Sequence, residues 1–158
     1  MEYRVVIPDE VFGILEWQED DLPAIGVVNQ AIAGFEPKVV FGWHLSIIVD
    51  CADQAENGMP TMAEVAVLDG IGDEFDIHLK ADGNALFLAR ITWGGTRQFL
   101  YRVYDPEVAD AYLAGLIEAD ANVRPFEYRM ERDDDWALAE PYLRPWAGGS
   151  PSSPGGEV

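Results

Sequence analysis

The sequence predicts an α+β domain with a ferredoxin-like βαββαβ fold, in which the helices cover one face of an antiparallel sheet. From about residue 38, β-rich segments and helical segments alternate in the order strand, helix, strand, strand, helix, strand. The chain has 158 residues and is 49% hydrophobic, which suits one domain with a substantial core. We expect the domain to span residues 1–146, with its ferredoxin-like core at about 38–143 and an N-terminal strand and helix as an extension.

The N-terminal extension is predicted from two short patterns. Residues 3–7 are typical of a short strand, whereas the pattern of residues 12–17 is ambiguous. An acidic run that ends at Asp21 lies just before Pro23, an arrangement typical of a helix start with Asp21 as the cap. Apolar residues at helical spacing then predict a helix that ends near residue 35.

The first strand and helix of the core follow. Residues 38–51 are β-rich and apolar enough for a central strand. Thr61 and Glu64 form a capping-box pattern, which predicts that a helix begins there. Apolar residues at spacings of three and four continue this helix to Leu79.

A hairpin around Gly94 and Gly95 supplies the next two strands. These strands are predicted at residues 86–93 and 97–104. A two-residue loop would place Ile91 opposite Gln98 and mix polar with apolar side chains on both faces of the sheet. A three-residue loop places Ile91 opposite Phe99 and collects the apolar side chains on one face. Because register follows the buried face, we expect the three-residue loop.

The arginines of this hairpin have two interpretations. In the favoured register Arg90 and Arg102 lie on the face away from the helices, and Trp93 lies opposite Arg97, where a cation–π contact is expected. Aromatic side chains beside arginines also occur on RNA-binding sheets. Cross-strand pairing and neutralisation of neighbouring acids are the simpler interpretation.

The C-terminal part is predicted to contain a helix, a strand, a short helix and a tail. Asp105 and Pro106 are typical of a helix start. Residues 123–131 alternate apolar with charged side chains, which predicts the last strand. An acidic triplet caps a short terminal helix over residues 133–143, and residues 147–158 are expected to be a disordered tail rich in glycine, proline and serine.

The chain is strongly acidic, with 29 acidic and 10 basic residues and a net charge of −19. Such a charge repels phosphate backbones, so we expect no direct binding to nucleic acids. It suits a basic protein partner, because opposite charge accelerates encounter, although acidity shared by a whole proteome would have the same appearance. The lone cysteine, Cys51, the lack of a secretory signal and the lack of an apolar run of about 18 residues predict a cytoplasmic protein that binds no membrane. The oligomeric state is left open.

No catalytic, cofactor-binding or metal-binding residue is predicted. Asp73, Glu74, Asp76 and His78 lack the spacing of a calcium-binding loop, and on a helix they would spread around the solvent face. His44 lies in an apolar segment and is interpreted as a packed residue. No serine lies in a nucleophile elbow, and the Gly-Gly pair joins two strands instead of opening a helix as phosphate loops do. We therefore expect a protein that is not an enzyme and needs no cofactor.

A short acidic run followed by an aromatic residue is the most notable surface candidate: Asp133, Asp134, Asp135 and Trp136. One interpretation is a helix N-terminus, where acidic side chains oppose the helix macrodipole. The other is an acidic knob with an aromatic anchor, suited to docking on a basic partner. These four residues, with Trp93 and Arg97 at the hairpin tip, are the candidate partner-binding residues.

Three segments carry a pattern that is more specific than composition. They are GMPTMAEVAVLDGIGDEF at residues 58–75, ARITWGGTRQFLYRVYD at 89–105 and RPFEYRMERDDDW at 124–136. Their order resembles the bacterial family "domain of unknown function 695", in which a Gly-Leu-Pro-type turn, an acidic helix, an Arg-Ile-Thr hairpin and a late Asp-x-x-Trp-like element follow one another. The resemblance extends to about residue 146, although Trp93 stands where a small polar residue is more usual.

The resemblance implies a binding role. The family has no established activity, but its C-terminal half is similar in pattern to the regulator of ribonuclease activity B, a small acidic protein that binds ribonuclease E and inhibits it. This similarity implies a ferredoxin-like fold and a non-enzymatic, protein-binding function. We therefore expect an acidic module that regulates or inhibits another protein, with a basic nuclease as one candidate partner. The alternatives are an immunity protein that neutralises a toxin and a hydrolase that uses carboxylates.

Overall fold

The protein has a mixed α+β fold built on one six-stranded sheet, in which every neighbouring pair of strands is antiparallel. The computed structural model describes residues 5–149. The strands are β1 Phe12–Glu19, β2 Leu22–Asn29, β3 Trp43–Asp50, β4 Ala85–Trp93, β5 Thr96–Val103 and β6 Phe126–Arg132. The helices are α1 Met62–Leu79, α2 Pro106–Glu118 and α3 Glu140–Leu143. The strands lie in the order β1-β2-β4-β5-β3-β6.

The predicted elements from β3 onward are confirmed in type and order, and with them the α+β class and the antiparallel sheet. The Thr61 hydroxyl caps α1 by accepting a hydrogen bond from the Glu64 backbone N–H, 3.3 Å away. The capping box is only half formed, because the Glu64 carboxylate turns to Arg124 instead. Residues 38–41 form a 3₁₀ turn before β3 begins at Trp43.

The predicted N-terminal helix is wrong, because residues 22–29 form strand β2 between β1 and β4. The acids that suggested a helix cap form the hairpin turn between β1 and β2. Asp20 and Asp21 have φ values of 53° and 65°, a conformation that aspartate tolerates and that suits a two-residue hairpin turn. The β-branched side chains of β2 then pack on a pleated surface. The strand predicted at residues 3–7 is absent from residues 5–7, and its first two residues lie outside the described part of the chain.

The predicted three-residue loop of the β4–β5 hairpin is also wrong. Trp93 pairs with Thr96, so Gly94 and Gly95 alone form the turn, with φ values of 60° and 84°. A bulge at Leu88 shifts the register by one residue and so brings apolar residues of β4 and β5 opposite each other farther from the turn. Beyond the bulge, Phe87 lies opposite Tyr101, although Ile91 lies opposite Gln98 near the turn.

Two hydrophobic cores lie on opposite faces of the sheet. The first packs α1 and α2 against β3, β4, β5 and β6. The second lies between the other face and the two segments around residues 30–41 and 136–146. Ile91 and Ala89 belong to this second core, so the expectation that they face the helices is wrong.

The C-terminal segment packs against the sheet through Trp136, Ala139 and Leu143. The terminal helix predicted over residues 133–143 is reduced to α3, because Trp136 has a φ of 62° that interrupts helical geometry. A 3₁₀ turn over Arg144–Gly149 includes the first residues of the predicted tail, and residues 150–158 lie outside the described residues. No helix in the described part of the chain has the length and apolar character needed to cross a bilayer.

Candidate functional site

A groove of about 590 Å³ lies on the helix-bearing face of the sheet, between α1 and the β1–β2 hairpin. It exists because the helices pack on the other four strands and leave this face of β1 open. Phe12 and Ile14 of β1 are 54% and 64% exposed there. Large exposed apolar side chains that line a concave surface are typical of binding sites in soluble proteins.

The floor of the groove is apolar. Val27 of β2 pairs with Ile14, which places both on the same face of the sheet. Phe12 packs edge-on against Phe87, with ring centroids 6.0 Å apart. Phe87 and Phe99 are buried at the back of the groove and join its floor to the first core. The exposed part of the floor is therefore rigidly backed by aromatic side chains.

The wall of the groove is acidic. Asp69, Asp73 and Asp76 project into the groove from α1, at spacings that place them along one side of a helix. Gly72 lets this wall come close to the floor, since a Cβ atom on Gly72 would lie 2.8 Å from the ring of Phe99. An apolar floor thus meets a row of carboxylates.

Two of these three carboxylates have partners within the protein. Asp69 lies 2.8 Å from Arg97 and 4.0 Å from Arg90. Asp76 lies 3.5 Å from Lys80 and accepts a 2.5 Å hydrogen bond from the Tyr101 hydroxyl; burial together with this aspartate raises the pKa of Tyr101. Among residues 5–149, Asp73 forms no ion pair, and it lines the groove together with the basic side chain of Arg90.

Arg97, a predicted site residue, is buried beside Asp69 of the groove wall. It is 5% exposed and donates hydrogen bonds to Thr92 and Asp69. Burial lowers its pKa, and the bond to Asp69 opposes that effect. The expected contact with Trp93 is wrong, because Thr92 is the residue opposite Arg97. Arg90 also lies 4.0 Å from the Asp69 carboxylate on α1, so its predicted position away from the helices is wrong, whereas Arg102 lies on the opposite face as predicted.

Trp93 lies at the hairpin tip and is partly buried. Its indole N–H donates a 2.8 Å hydrogen bond to the Glu19 carbonyl oxygen at the end of β1. The side chain thus links the two hairpin tips, a structural role that the sequence did not suggest.

The predicted knob divides into a buried half and an exposed half. Trp136 is 1% exposed, stacks on Phe35 and donates its indole N–H to the Lys38 and Phe41 carbonyl oxygens. Asp133 accepts hydrogen bonds from the backbone N–H groups of Ala137 and Leu138. The aromatic anchor of the docking hypothesis is therefore inside the second core, whereas Asp134 and Asp135 lie on the surface.

Arg102 holds the buried half of the knob in place. Its side chain is fully buried and donates hydrogen bonds to the Asp133 carboxylate, 3.0 Å away, and to the Asp133 carbonyl oxygen. His44 lies 3.1 Å from the same guanidinium. Burial and the charge of Arg102 lower the pKa of His44 to about 4, so this histidine is neutral at pH 7. The predicted interpretation of His44 as a packed residue is confirmed.

The groove is the feature that sequence reasoning missed. Its floor depends on β1, whose residues 12–17 the sequence left ambiguous. More and less exposed residues alternate along β1, but its apolar residues do not alternate with polar ones, so the sequence carries no clear period-2 signal there.

The four residues considered for metal binding spread around α1 as expected. Asp73 and Asp76 face the groove, whereas Glu74 and His78 line a separate hollow between α1 and α2. The part of the chain that the structure describes contains no cluster of three or more histidine, cysteine or acidic side chains arranged to hold a metal ion.

Comparison with known proteins identifies the family but no characterised relative. Neither the curated proteins nor the solved structures contain a match to this chain. The model of the family of unknown function DUF695 matches residues 18–143, which include β2, the groove wall and the Arg102 cluster. The chain therefore belongs to the DUF695 family.

Proposed function

We propose that this protein is a non-enzymatic binding module that regulates or inhibits a basic partner protein. The observation that carries the proposal is the groove, where exposed apolar side chains lie beside a row of carboxylates. Burial of the apolar floor supplies affinity, while the acidic wall selects and steers a basic partner. The net charge of −19 extends that steering over the whole molecule.

We further propose a ferredoxin-like unit and a ribonuclease as the partner class. The neighbouring strands β6-β3-β5-β4, with α1 between β3 and β4 and α2 between β5 and β6, support the ferredoxin-like assignment. The pattern similarity of the C-terminal half to the regulator of ribonuclease activity B supports the ribonuclease. A nuclease presents a basic surface to its substrate, and an acidic protein competes for that surface by charge.

Two alternatives predict different observations. For a carboxylate-based hydrolase, the groove would have to supply reactive acids, but Asp69 and Asp76 are engaged by Arg97 and Tyr101. This engagement favours binding over catalysis. For an immunity protein, the neighbouring gene would encode a toxin that this protein neutralises.

The test is affinity capture with the full chain from a bacterial lysate at low salt, followed by reconstitution with the purified partner. We expect a basic protein whose affinity falls as salt rises, because screening weakens the steering charges. If the partner is a ribonuclease, its rate of RNA cleavage falls when the protein is added. Recovery of no basic partner, or a complex indifferent to salt, contradicts the proposal.

A further inference from the structure

We propose that the groove binds an amphipathic helix of the partner protein with a basic flank, which packs as a third helix beside α1. The inference rests on the proposed function, because it names the part of the partner that the module recognises. It is carried by the shape of the uncovered sheet, by the acidic wall and by the exposed apolar floor.

The dimensions of the uncovered surface fit one helix. Two neighbouring strands present a strip about 10 Å wide, which matches the diameter of a helix with its side chains. Strands of eight residues, such as β1 and β2, are about 26 Å long, enough for a helix of about 17 residues. Phe12 and Ile14 would then contact the apolar face of that helix.

The acidic wall matches the spacing of basic residues on a helix. Asp69, Asp73 and Asp76 have the i, i+4, i+7 spacing of one helix flank. Asp69 is already paired with Arg97 and Arg90, and Asp76 with Lys80 and Tyr101, so a lysine or arginine on a neighbouring helix would pair chiefly with Asp73. Asp73 has no ion pair among the described residues, so it gains the most from such a contact.

Charge decides against two other occupants, a second copy of the chain and residues 150–158. A second copy would bring two acidic walls together on chains that each carry a charge of −19. The segment 150–158 contains no basic residue, so it offers no counter-charge to the wall.

A partner strand added to the free edge of β1 would lie beyond β1, with both β1 and β2 separating it from β4. At about 4.8 Å per strand, that position keeps its side chains far from α1.

The experiment measures binding of a fluorescently labelled 17-residue peptide of leucine and lysine to the full chain. In one peptide the leucines form a helical stripe with lysines along its flank, and in the second the same residues are shuffled to destroy the stripe. Two variants probe the groove, Ile14→Thr and Asp73→Lys. Their matched controls are Ile117→Thr and Glu118→Lys on α2, which replace an isoleucine and an acidic residue at exposed positions with the same change in net charge.

We expect the amphipathic peptide to bind about tenfold more tightly than the shuffled peptide, because only the former buries the floor. Ile14→Thr and Asp73→Lys each weaken binding by about tenfold, while each control changes it by less than about twofold. Unfolding transitions of all four variants establish that they are folded. Equal binding of the two peptides, or equal loss in Asp73→Lys and Glu118→Lys, overturns the inference.

The captured partner separates this inference from the proposed function. If a basic protein is captured and binds the two groove variants as tightly as the unchanged chain, the groove inference is wrong and the proposed function stands. If the unchanged chain captures no basic protein, the proposed function fails and the inference fails with it.

Discussion

The guanidinium group of Arg102 lies 4.9 Å from the centre of the Trp136 ring, and both side chains are buried. The pair joins β5 to the C-terminal segment on the face of the sheet opposite α1 and α2. Asp133 adds an ion pair to the same guanidinium. Part of the acidic run that suggested a docking surface, Asp133, therefore holds the C-terminal segment against the second core.

We expect Arg102→Lys to lower the free energy of unfolding by about 2–4 kcal/mol, because a lysine cannot replace the planar fork and leaves Asp133 poorly paired. Chemical denaturation measures the change. Arg129→Lys is the control, since Arg129 is 77% exposed and its variant is expected to change stability by less than about 0.5 kcal/mol. Equal effects of the two substitutions would show that the buried cluster contributes little.

The acidic triplet offers a matched pair of variants. Asp133→Ala removes two hydrogen bonds to backbone N–H groups and the partner of a buried arginine, so we expect a loss of about 3 kcal/mol. Asp135→Ala changes an exposed side chain and is expected to cost less than about 0.5 kcal/mol. Denaturant unfolding of both variants checks this order. A larger loss in Asp135→Ala would contradict the assigned roles.

The two glycines of α1 are expected to respond to alanine with opposite signs. Gly70 has no atom within 4 Å of an added Cβ, so Gly70→Ala stabilises the helix by about 0.5–1 kcal/mol. At Gly72 the added Cβ would lie 2.8 Å from the buried ring of Phe99, so we expect Gly72→Ala to destabilise by about 1–3 kcal/mol. Thermal unfolding of the two variants measures both signs. Stabilisation by Gly72→Ala would show that α1 does not lie this close to β5.

Glu64 makes stability sensitive to acid. Two hydrogen bonds from Arg124 lower the pKa of this carboxylate from 4.5 to about 2, with help from the Ala52 backbone N–H. The folded protein therefore binds fewer protons than the unfolded chain between these values, and its stability falls as pH falls from 4.5 to 2. Glu64→Gln is expected to flatten this part of the curve, whereas Glu118→Gln leaves it unchanged. Unfolding free energies measured across this range test the prediction, and identical slopes would refute it.

His44 extends the acid sensitivity to higher pH. Its pKa is lowered from 6.5 to about 4, chiefly by burial, so the folded state resists protonation that the unfolded chain accepts. Stability from this group is fully present above pH 6.5 and declines as pH falls toward 4. NMR titration of the His44 ring should give a pKa near 4. A midpoint near 6.5 would contradict the buried position beside Arg102.

Local sequence patterns were sufficient to predict the helices and strands whose apolar residues recur at a regular spacing. Thr61 and Pro106 lie at the starts of α1 and α2 as predicted, because caps and first-turn prolines act within a few residues. The β4–β5 hairpin was found for the same reason, although its register was not. The bulge at Leu88 shifts the register by one residue, and a sequence pattern treats both strands as regular.

Residues 22–29 show where local reasoning ends. Their apolar spacing fits a helix as well as a strand. They form a strand because β1 and β4 pair with the two edges of β2. Backbone hydrogen bonds on both sides outweigh a weak local preference. Because the sequence left β1 ambiguous and assigned β2 to a helix, the groove between them and α1 was not predicted.

The amino-acid sequence by itself determined the α+β class, the order of elements from β3 to β6, the acidity and the family resemblance. These follow from short-range periodicity, from capping residues and from composition. Only the tertiary structure decided that Trp136 is buried, that Arg97 binds Asp69, and that Ile14 and Asp73 share one groove. Each of those facts depends on which strands are neighbours, and strand pairing is set by packing between segments far apart in the chain.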